Sequence, residues 1–281
     1  MKTKMIFSAI FVVALLSTET VLAAGPHWTH EEQADWGAIE DTAQSTVPLI
    51  YPYAECALGL HQSPVNLEGE QNAKKFNTLE VHYADDTPDF FNSGHAVQVN
   101  SSDNYKGRLT IGNDLYPLIQ YHFHAPSEHQ IGVKTFPAEL HLVHIREDGK
   151  MAVLGVLLEE GEANPAFQTI LDKVSHNSGV LNSDTGIVIN PKSLLPDDLS
   201  HFDTYAGSLT TPPCSEGVNW FVFAEPVTIS SDQLEQLKGF FPDLYDGSLD
   251  GYTNGNARFT QDLNGRVVTG KIRKNFSLRD F

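Results

Sequence analysis

Basic residues are scarce in this sequence, and no linker divides it into separate domains. The 281 residues contain 18 Lys and Arg against 36 Asp and Glu, which gives a formal net charge of -18. Because so acidic a chain repels phosphate backbones, we expect no nucleic-acid partner. The sequence also has no internal repeat, low-complexity tract or linker. It is therefore predicted to form a single domain.

The sequence lacks an apolar run long enough to cross a bilayer. A short basic start precedes an apolar run over residues 5–16, whereas a membrane-spanning helix needs about 20 apolar residues. This pattern favours a signal peptide over a membrane anchor. The predicted signal peptide covers residues 1–23, with cleavage after Ala23 or Ala24, and leaves a mature domain over residues 24–281. We expect a periplasmic or secreted protein with no membrane span after the signal peptide is removed.

Cysteine is nearly absent, since only Cys56 and Cys214 occur in the chain. An even number of cysteines in an exported protein favours a disulfide between them. The alternative is two free, buried thiols.

Helical patterns are few, and short alternating runs of apolar and polar residues predominate. One helix is predicted after Asn164-Pro165, where an N-cap residue precedes proline. Another is predicted after Ser230, which forms a capping box with Gln233. Strands are predicted over residues 79–83, 96–100, 108–111, 120–124, 139–144 and 151–158.

These elements predict an α+β fold dominated by strands, built around a large, twisted, mostly antiparallel sheet with short peripheral helices. The Asp148-Gly149 turn predicts a hairpin. The strand after this turn should therefore lie antiparallel beside the strand before it, in a register that the sequence does not define.

Two of the predicted strands carry histidines in a pattern typical of a metal site. His122 and His124 lie two residues apart and share one strand face, which His141 can approach from another strand. Burying such imidazoles without a partner is costly, and a metal ion removes that cost. Three histidines with a fourth position open are typical of a catalytic zinc. We therefore predict that these three histidines bind Zn²⁺; the alternative is three packed structural histidines.

Gln120 and Glu139 each precede a predicted ligand by two residues on the same strand face. Either side chain could accept the second ring N–H of that ligand and fix its orientation. The alternative for Glu139 is an ordinary surface carboxylate. Five other histidines are interpreted as packed or solvated: His61, His82, His144, His176 and His201.

Further motifs extend the pattern along almost the whole mature chain, from about Trp28 to Lys271. They are Gln62-Ser63-Pro64-Val65-Asn66, Asn92-Ser93-Gly94-His95-Ala96, Ser127-Glu128-His129, Ala138-Glu139-Leu140-His141, Gly207-Ser208-Leu209-Thr210-Thr211-Pro212-Pro213-Cys214 and Asn264-Gly265-Arg266. In this order and number they are highly specific. The sequence resembles α-class carbonic anhydrases of the exported bacterial type.

This resemblance implies reversible hydration of carbon dioxide to bicarbonate and a proton, by attack of a zinc-bound hydroxide. By likeness, the Thr210 hydroxyl accepts a hydrogen bond from that hydroxide and donates one to Glu128. His95 occupies the position of the proton shuttle, and an unperturbed imidazole can exchange protons near neutral pH. Asn256 is expected to help hold a zinc ligand. The Cys56–Cys214 pair agrees with the disulfide that holds the Thr210 loop in exported members.

Carbon dioxide is small and has no net dipole, so its pocket should be mostly apolar. The positions that match the family's substrate pocket are Val143, Val153, Leu209, Thr210, Thr211, Val218 and Trp220. The alternative for the apolar members of this set is an ordinary core, and some residues must serve both purposes.

The sequence departs from the family pattern at a few positions. His30 replaces a tyrosine that helps to order water in relatives, so it is predicted to alter proton transfer or to act as a second proton carrier. Ser93 stands where an asparagine is frequent, and Phe259-Thr260 replaces a usual proline. Two other functions stay open: a catalytically silent binding protein of the same fold, and a zinc esterase or other hydrolase. Both a monomer and a homodimer are compatible with the sequence.

Overall fold

The structure is a computed structural model that describes residues 25–43, 49–68, 71–72, 78–183, 186–245 and 255–270. The predicted signal peptide over residues 1–23 lies outside the described residues. Among the residues that are described, none belongs to a helix with the length and apolar character needed to span a membrane.

Strands provide most of the regular structure. The first eight in the described chain are β1 (Gln71–Asn72), β2 (Leu79–His82), β3 (Asp89–Asn92), β4 (Val97–Asn100), β5 (Arg108–Ile111), β6 (Asp114–His124), β7 (Gln130–Ile131) and β8 (Lys134–Thr135). The others are β9 (Ala138–Ile145), β10 (Met151–Glu160), β11 (Leu181–Asn182), β12 (Phe202–Ser208), β13 (Glu216–Phe223), β14 (Val227–Ile229) and β15 (Thr269–Gly270).

Helices are short and few in the described ranges. They are α1 (Glu55–Leu58), α2 (Pro165–Lys173) and α3 (Ser231–Lys238), and short 3₁₀ helices cover Trp36–Ala38, Pro191–Leu194 and Pro242–Leu244. The predicted fold class is confirmed, because one large sheet with peripheral helices accounts for the described chain.

One sheet organises the described molecule, with the order β1-β15-β12-β13-β10-β9-β6-β4-β3-β11. Strand β14 also pairs with β10, and β5 joins β2 to β6. Most of the pairings are antiparallel, but β10 pairs in parallel with both β13 and β14. The two histidine-bearing strands, β6 and β9, are neighbours near the middle of the sheet.

Both faces of the central strands are buried, which explains why β9 is buried along nearly its whole length. Leu140 and Leu142 pack into the larger apolar core, against helices α2 and α3. The alternate residue Val143 packs into a smaller apolar cluster on the opposite face with Val153. Since side chains alternate along a strand, His141 faces that second cluster.

The predicted local signals are confirmed where turn and capping chemistry defines them. The Asn164 side chain accepts N–H bonds from residues of the first turn of α2, and Ser230 and Gln233 form both bonds of a capping box on α3. Residues 146–150 form the predicted hairpin turn. It brings β10 antiparallel to β9, with Gly155 opposite His141.

The disulfide prediction is confirmed by a bond between Cys56 and Cys214, which are 158 residues apart. It connects the short helix α1 to the loop between β12 and β13. Disulfides form and persist in oxidising compartments, so the bond indicates that the chain folds outside a reducing cytosol.

Candidate metal centre

The register between β6 and β9 creates the histidine cluster. His122 lies directly opposite His141, and His124 lies opposite Glu139. A register shift at residues 118–120 adjusts this pairing. One ring nitrogen from each of His122, His124 and His141 lies within 4.8 Å of the corresponding nitrogens of the other two. The structure therefore brings the three predicted ligands together.

In each ring, one nitrogen points away from the cluster and forms a hydrogen bond, which leaves the other nitrogen free to coordinate a metal. Nδ1 of His122 lies 2.8 Å from Oε1 of Gln120, and Nδ1 of His124 lies 2.7 Å from the backbone oxygen of Asn256. Nε2 of His141 lies 2.9 Å from Oε1 of Glu139. Each of these oxygens accepts a hydrogen bond, so the facing nitrogen carries the proton. The lone pairs that remain are on Nε2 of His122 and His124 and on Nδ1 of His141.

The site fits a zinc ion on its own chemistry. Within the described chain, Nε2 of His124 is buried and has no hydrogen-bond partner. An unpaired buried nitrogen is costly, and coordination to a metal removes that cost. Three neutral imidazoles, each held by a hydrogen bond at its other nitrogen, are a common zinc donor set.

The electrostatics keep His122 and His124 neutral. Burial lowers the pKa of His122 well below its ordinary value, and the neighbouring His124 and His141 lower it further. Burial also lowers the pKa of His124, although nearby Glu128 partly opposes this. For Glu139, burial favours the neutral acid, but His129 and His141 together outweigh it and hold the pKa well below the usual range. The result is a charged acceptor beside two ring donors.

Glu128 is completely buried beside the three clustered histidines. Its Oε2 lies 3.7 Å from Nδ1 of His141, and its Oε1 accepts the backbone N–H of Arg258 at 2.8 Å. Among the described residues, Oε2 has no hydrogen-bond partner, so the expected bond from Thr210 is not formed in this structure. Thr210 is itself buried, in the loop that follows β12.

The predicted pocket residues come from three neighbouring strands and one loop. Val143 on β9 pairs with Val153 on β10, and Val153 pairs with Trp220 on β13. With Val218 they are buried in the smaller apolar cluster, and Leu209 packs against its edge. The Trp220 ring lies 4.8 Å from the ring of His141. The apolar surface therefore begins directly beside the histidine cluster.

A tight turn positions His95, the predicted proton carrier. The Asn92 side chain accepts the N–H of Gly94, whose φ of 85° favours glycine. Ser93, one of the departures from the family pattern, accepts the N–H of His95 through its hydroxyl. The His95 ring stacks on Trp28 with 3.7 Å between centroids. Burial and nearby His27 lower the pKa of His95.

Comparisons with known proteins identify the architecture. The family model for eukaryotic-type carbonic anhydrase matches residues 48–272. A carbonic anhydrase of Pectobacterium atrosepticum is 34% identical over 265 residues, which cover 92% of this chain and 98% of that protein. The chain belongs to the α-carbonic anhydrase family. It is therefore a carbonic anhydrase enzyme by family.

Solved structures agree with this family. The α-carbonic anhydrase of Thermovibrio ammonificans, in complex with the inhibitor sulfanilamide, is 32% identical with a TM-score of 0.75, and the match covers 88% of this chain and all of that one. Dioscorin, solved in complex with ascorbate, is 29% identical with a TM-score of 0.70. That match covers 86% of this chain and 94% of dioscorin.

The departure from other carbonic anhydrases at His30 has a clear structural setting. His30 is buried, with its ring edge-on to Trp28, Trp36 and His95. Burial, followed by the effects of His124 and His95, lowers its pKa to about 3. Its Nε2 has no hydrogen-bond partner among the described residues. So low a pKa makes His30 a weak proton acceptor at neutral pH.

Arg258 supports the carbonic anhydrase site but received no role from the sequence, whereas Asn256 was expected to help hold a zinc ligand. Arg258 donates its backbone N–H to Glu128, while its guanidinium bonds to Gln62, to Ser63 and to the backbone of Cys56. Asn256 supplies a backbone oxygen to His124, and its side chain bonds to the backbone of His95. The Asn256-Ala257-Arg258 motif was visible in the sequence, but its contacts are more than 120 residues away along the chain.

Proposed function

We propose that this carbonic anhydrase catalyses the reversible hydration of carbon dioxide with a zinc ion held by His122, His124 and His141. The observation that carries the proposal is the convergence of one unprotonated ring nitrogen from each histidine. The proton of each ring is held on the other nitrogen, by Gln120, Asn256 and Glu139 respectively. A bound zinc ion lowers the pKa of a coordinated water towards neutrality, an effect for which carbonic anhydrase is the standard example. Everything else required for turnover is assigned to residues of this chain.

Thr210 and Glu128 orient the reacting group in this proposal. An ionised carboxylate can only accept hydrogen bonds, so a bond between the two residues requires the Thr210 hydroxyl to donate. The hydroxyl oxygen of Thr210 can then accept a hydrogen bond from a group at the proposed metal position. The buried, unpartnered Oε2 of Glu128 supports this assignment, because it is an acceptor in need of a donor.

The apolar cluster beside the histidines provides a place for the substrate. Val143, Val153, Val218 and Trp220 are buried together there, and Leu209, Thr210 and Thr211 come from the adjoining loop. Carbon dioxide loses little by entering an apolar pocket because it has no net dipole. Bicarbonate is charged, and an apolar wall favours its release to water.

His95 removes the proton in this scheme. Its ring is half-buried and lies against Trp28, at the edge of a cavity of about 390 Å³ that is also lined by His27 and His30. The imidazole takes a proton from the site and releases it to solvent or buffer. His30 is assigned a supporting role in the packing of Trp28 and His95.

The other functions considered for the sequence are less well supported. Dioscorin shares the fold and was solved with ascorbate, which illustrates a binding role for that protein, but this chain has the full histidine cluster of an enzyme. Ester hydrolysis is compatible with a zinc site, yet the buried apolar cluster beside the histidines favours a small, apolar substrate. The disulfide supports a periplasmic or secreted enzyme, and we propose that residues 1–23 are its signal peptide and residues 24–281 its mature domain.

Metal content measured together with stopped-flow hydration of carbon dioxide tests this function. The mature protein should bind one zinc per chain, lose turnover when the metal is removed, and regain it with Zn²⁺. His141→Ala should lower zinc affinity by more than the roughly 10–100-fold that loss of an outer hydrogen-bond partner costs.

His144→Ala is the matched control for this substitution. His144 is buried on the same strand, but it faces the larger core and bonds to Tyr83 and to the backbone of Ala152. The control should therefore lose stability and keep its zinc. Full zinc occupancy in His141→Ala would remove that residue from the ligand set, and zinc-replete protein without turnover would reject the proposed reaction.

A further inference from the structure

A buried chain of hydrogen bonds continues beyond Glu139, away from the proposed metal position. Oε1 of Glu139 lies 2.6 Å from Nδ1 of His129, and Nε2 of His129 lies 2.7 Å from the Tyr205 hydroxyl. That hydroxyl lies 2.9 Å from Oγ of Ser63. Each of these side chains is almost fully excluded from solvent.

The positions of the protons in this chain follow from the chemistry of its members. The Glu139 carboxylate accepts backbone N–H bonds from Glu128 and His129 at Oε2, and at Oε1 it faces only ring nitrogens. Because it can only accept, Nδ1 of His129 must carry a proton. A neutral His129 then has its lone pair on Nε2, so Tyr205 donates to it. Burial raises the pKa of Tyr205 well above its ordinary value, which keeps the hydroxyl protonated.

The far end of the chain reaches the strand that leads to Thr210. Oγ of Ser63 accepts the backbone N–H of Ser208 at 3.0 Å, and the backbone N–H of Ser63 donates to Oγ of Ser208 at 2.9 Å. Because the Ser63 oxygen accepts the N–H of Ser208, its hydroxyl hydrogen remains available to donate to the Tyr205 oxygen. All the donors then point in one direction, and bonds aligned in this way strengthen one another.

Gly207 makes the close approach of these groups possible. A Cβ atom at this position would lie 2.1 Å from Oγ of Ser63 and 2.7 Å from Cε2 of Tyr205. Both distances are shorter than non-bonded atoms allow. The absence of a side chain at residue 207 therefore allows Ser63 and Tyr205 to meet.

We propose that Tyr205 is a positioning residue for the zinc ligand His141. Its hydroxyl lies 2.7 Å from Nε2 of His129 and holds that ring with Nδ1–H directed at Glu139; Glu139 in turn keeps the proton of His141 on Nε2 and the lone pair on Nδ1. Without the hydroxyl, Nε2 of His129 loses its buried partner, so the ring and the Glu139 carboxylate are held less firmly. This inference rests on the proposed zinc site, and it adds a residue that does not touch a ligand.

The test compares zinc release from folded Tyr205→Phe and wild-type protein into an excess of a chelator. Loss of a partner that touches a ligand typically costs about 10–100-fold in metal affinity. We expect roughly a tenfold faster release from Tyr205→Phe, the lower end of that range, because Tyr205 acts through His129 and Glu139. Nitrogen-15 NMR of the zinc-loaded protein should also show a shifted Nε2 signal of His129, because this nitrogen loses its hydrogen bond from Tyr205.

Tyr83→Phe provides a matched control. Tyr83 and His144 form another tyrosine–histidine pair, in which Tyr83 is partly buried, and 2.7 Å again separates the hydroxyl from Nε2. No hydrogen bond of the described residues connects this pair to Glu139. Both variants should lose stability as metal-free proteins, whereas only Tyr205→Phe should release zinc faster. If both variants release zinc at the wild-type rate, Tyr205 has only a structural role and the inference fails.

Ser63→Ala provides a second, milder variant in case Tyr205→Phe does not fold. It removes the donor to Tyr205 and leaves the His129–Glu139 pair in place, so zinc release should accelerate in the same direction by a smaller factor. A wild-type release rate in a folded Ser63→Ala protein, with no change in the His129 nitrogen signals, would overturn the inference. Wild-type protein that binds no zinc would instead reject the proposed zinc site itself.

Discussion

At the scale of single residues, three chemically different groups orient the three metal-facing histidines. They are the side-chain amide of Gln120, the backbone carbonyl of Asn256 and the carboxylate of Glu139. The carboxylate brings a negative charge next to His141, and this raises the pKa of that ring against the effect of burial. A more basic imidazole is a stronger donor, so we expect His141 to be the most electron-rich ligand of the three.

His95→Ala should slow carbon dioxide hydration in dilute buffer, because the half-buried imidazole at the cavity edge would no longer carry the proton outwards. A positioned proton-transfer group typically contributes about 10²–10⁴-fold, and water or buffer should replace part of this. Stopped-flow rates at low buffer concentration measure the loss, and added imidazole should restore much of the rate.

His30→Gln is the comparison for this prediction. With a pKa of about 3, His30 stays neutral during turnover, so its replacement should leave most of the rate. Unchanged turnover in His95→Ala together with a large loss in His30→Gln would transfer the proton-carrying role to His30.

At the scale of helices and strands, the sequence predicts those features that neighbouring residues determine. The caps at Asn164 and Ser230 and the turn at Asp148-Gly149 depend on side chains within a few residues, and all three are confirmed. Alternation of side chains correctly placed His122 and His124 on one strand face. The conformations involved are local, so their signals are visible without knowledge of the fold.

Non-local pairing could not be predicted in the same way. Strands β12 and β13 were not recognised as a pair, and the parallel register of β10 with β13 joins Val153 to Trp220 across more than 60 residues. Likewise, the segment at 62–67 meets the rest of the fold through an isolated bridge between Asn66 and Gln130. Such contacts depend on the shape of the whole sheet, and no local pattern encodes them. For the same reason, the sequence did not indicate the proposed role of Tyr205, whose partners are 76 and 142 residues away.

The junction between α2 and α3 gives a prediction at this scale. The buried side chain of Gln233 completes the cap of α3 and also bonds to the backbone N–H and carbonyl of Asn164. Gln233→Ala should therefore lower the free energy of unfolding by about 2 kcal/mol, since it leaves partly buried backbone groups unpaired. Ser230→Ala, which removes the cap alone, should cost about 1 kcal/mol.

Urea unfolding measures both costs, with Glu235→Ala as control. Glu235 is exposed on the same helix, and among the described residues its carboxylate pairs with Lys238 alone. Its loss should therefore change stability by less than about 0.5 kcal/mol. Equal costs for Gln233→Ala and Ser230→Ala would contradict a bridging role for Gln233.

At the scale of the whole molecule, buried neutral histidines connect stability to pH. Burial lowers the pKa of His144 to about 3, although hydrogen bonds to the backbone partly oppose this. The same ring has a pKa near 6.5 in an unfolded chain. Above pH 6.5 both states are neutral at this residue, and its contribution to stability is constant. Below that pH the unfolded chain binds a proton that the folded chain excludes, so stability falls as the pH falls towards 3.

His144→Gln should make the metal-free protein less sensitive to acid. Removal of this one group should reduce the slope of unfolding free energy against pH by up to about 1.4 kcal/mol per pH unit between pH 6.5 and 3. Urea unfolding at several pH values measures the slope. Tyr83→Phe keeps the buried imidazole, so its curve should run parallel to that of the wild type and about 1 kcal/mol lower. A wild-type slope in His144→Gln would show that this residue does not contribute to acid sensitivity.

Gly207 limits how this enzyme can be engineered for use at high temperature. Replacement of glycine by alanine is a general route to thermostability because it restricts the unfolded chain, provided that the folded backbone and its surroundings accept a methyl group. At Gly239 the φ of -63° suits an L-residue, and an added Cβ would lie 3.3 Å from the backbone oxygen of Gln236, so a small local shift would accommodate it. At Gly207 the methyl group would separate Ser63 from Tyr205. A library that replaces every glycine should therefore exclude this position, where a gain in rigidity would be offset by looser retention of the metal.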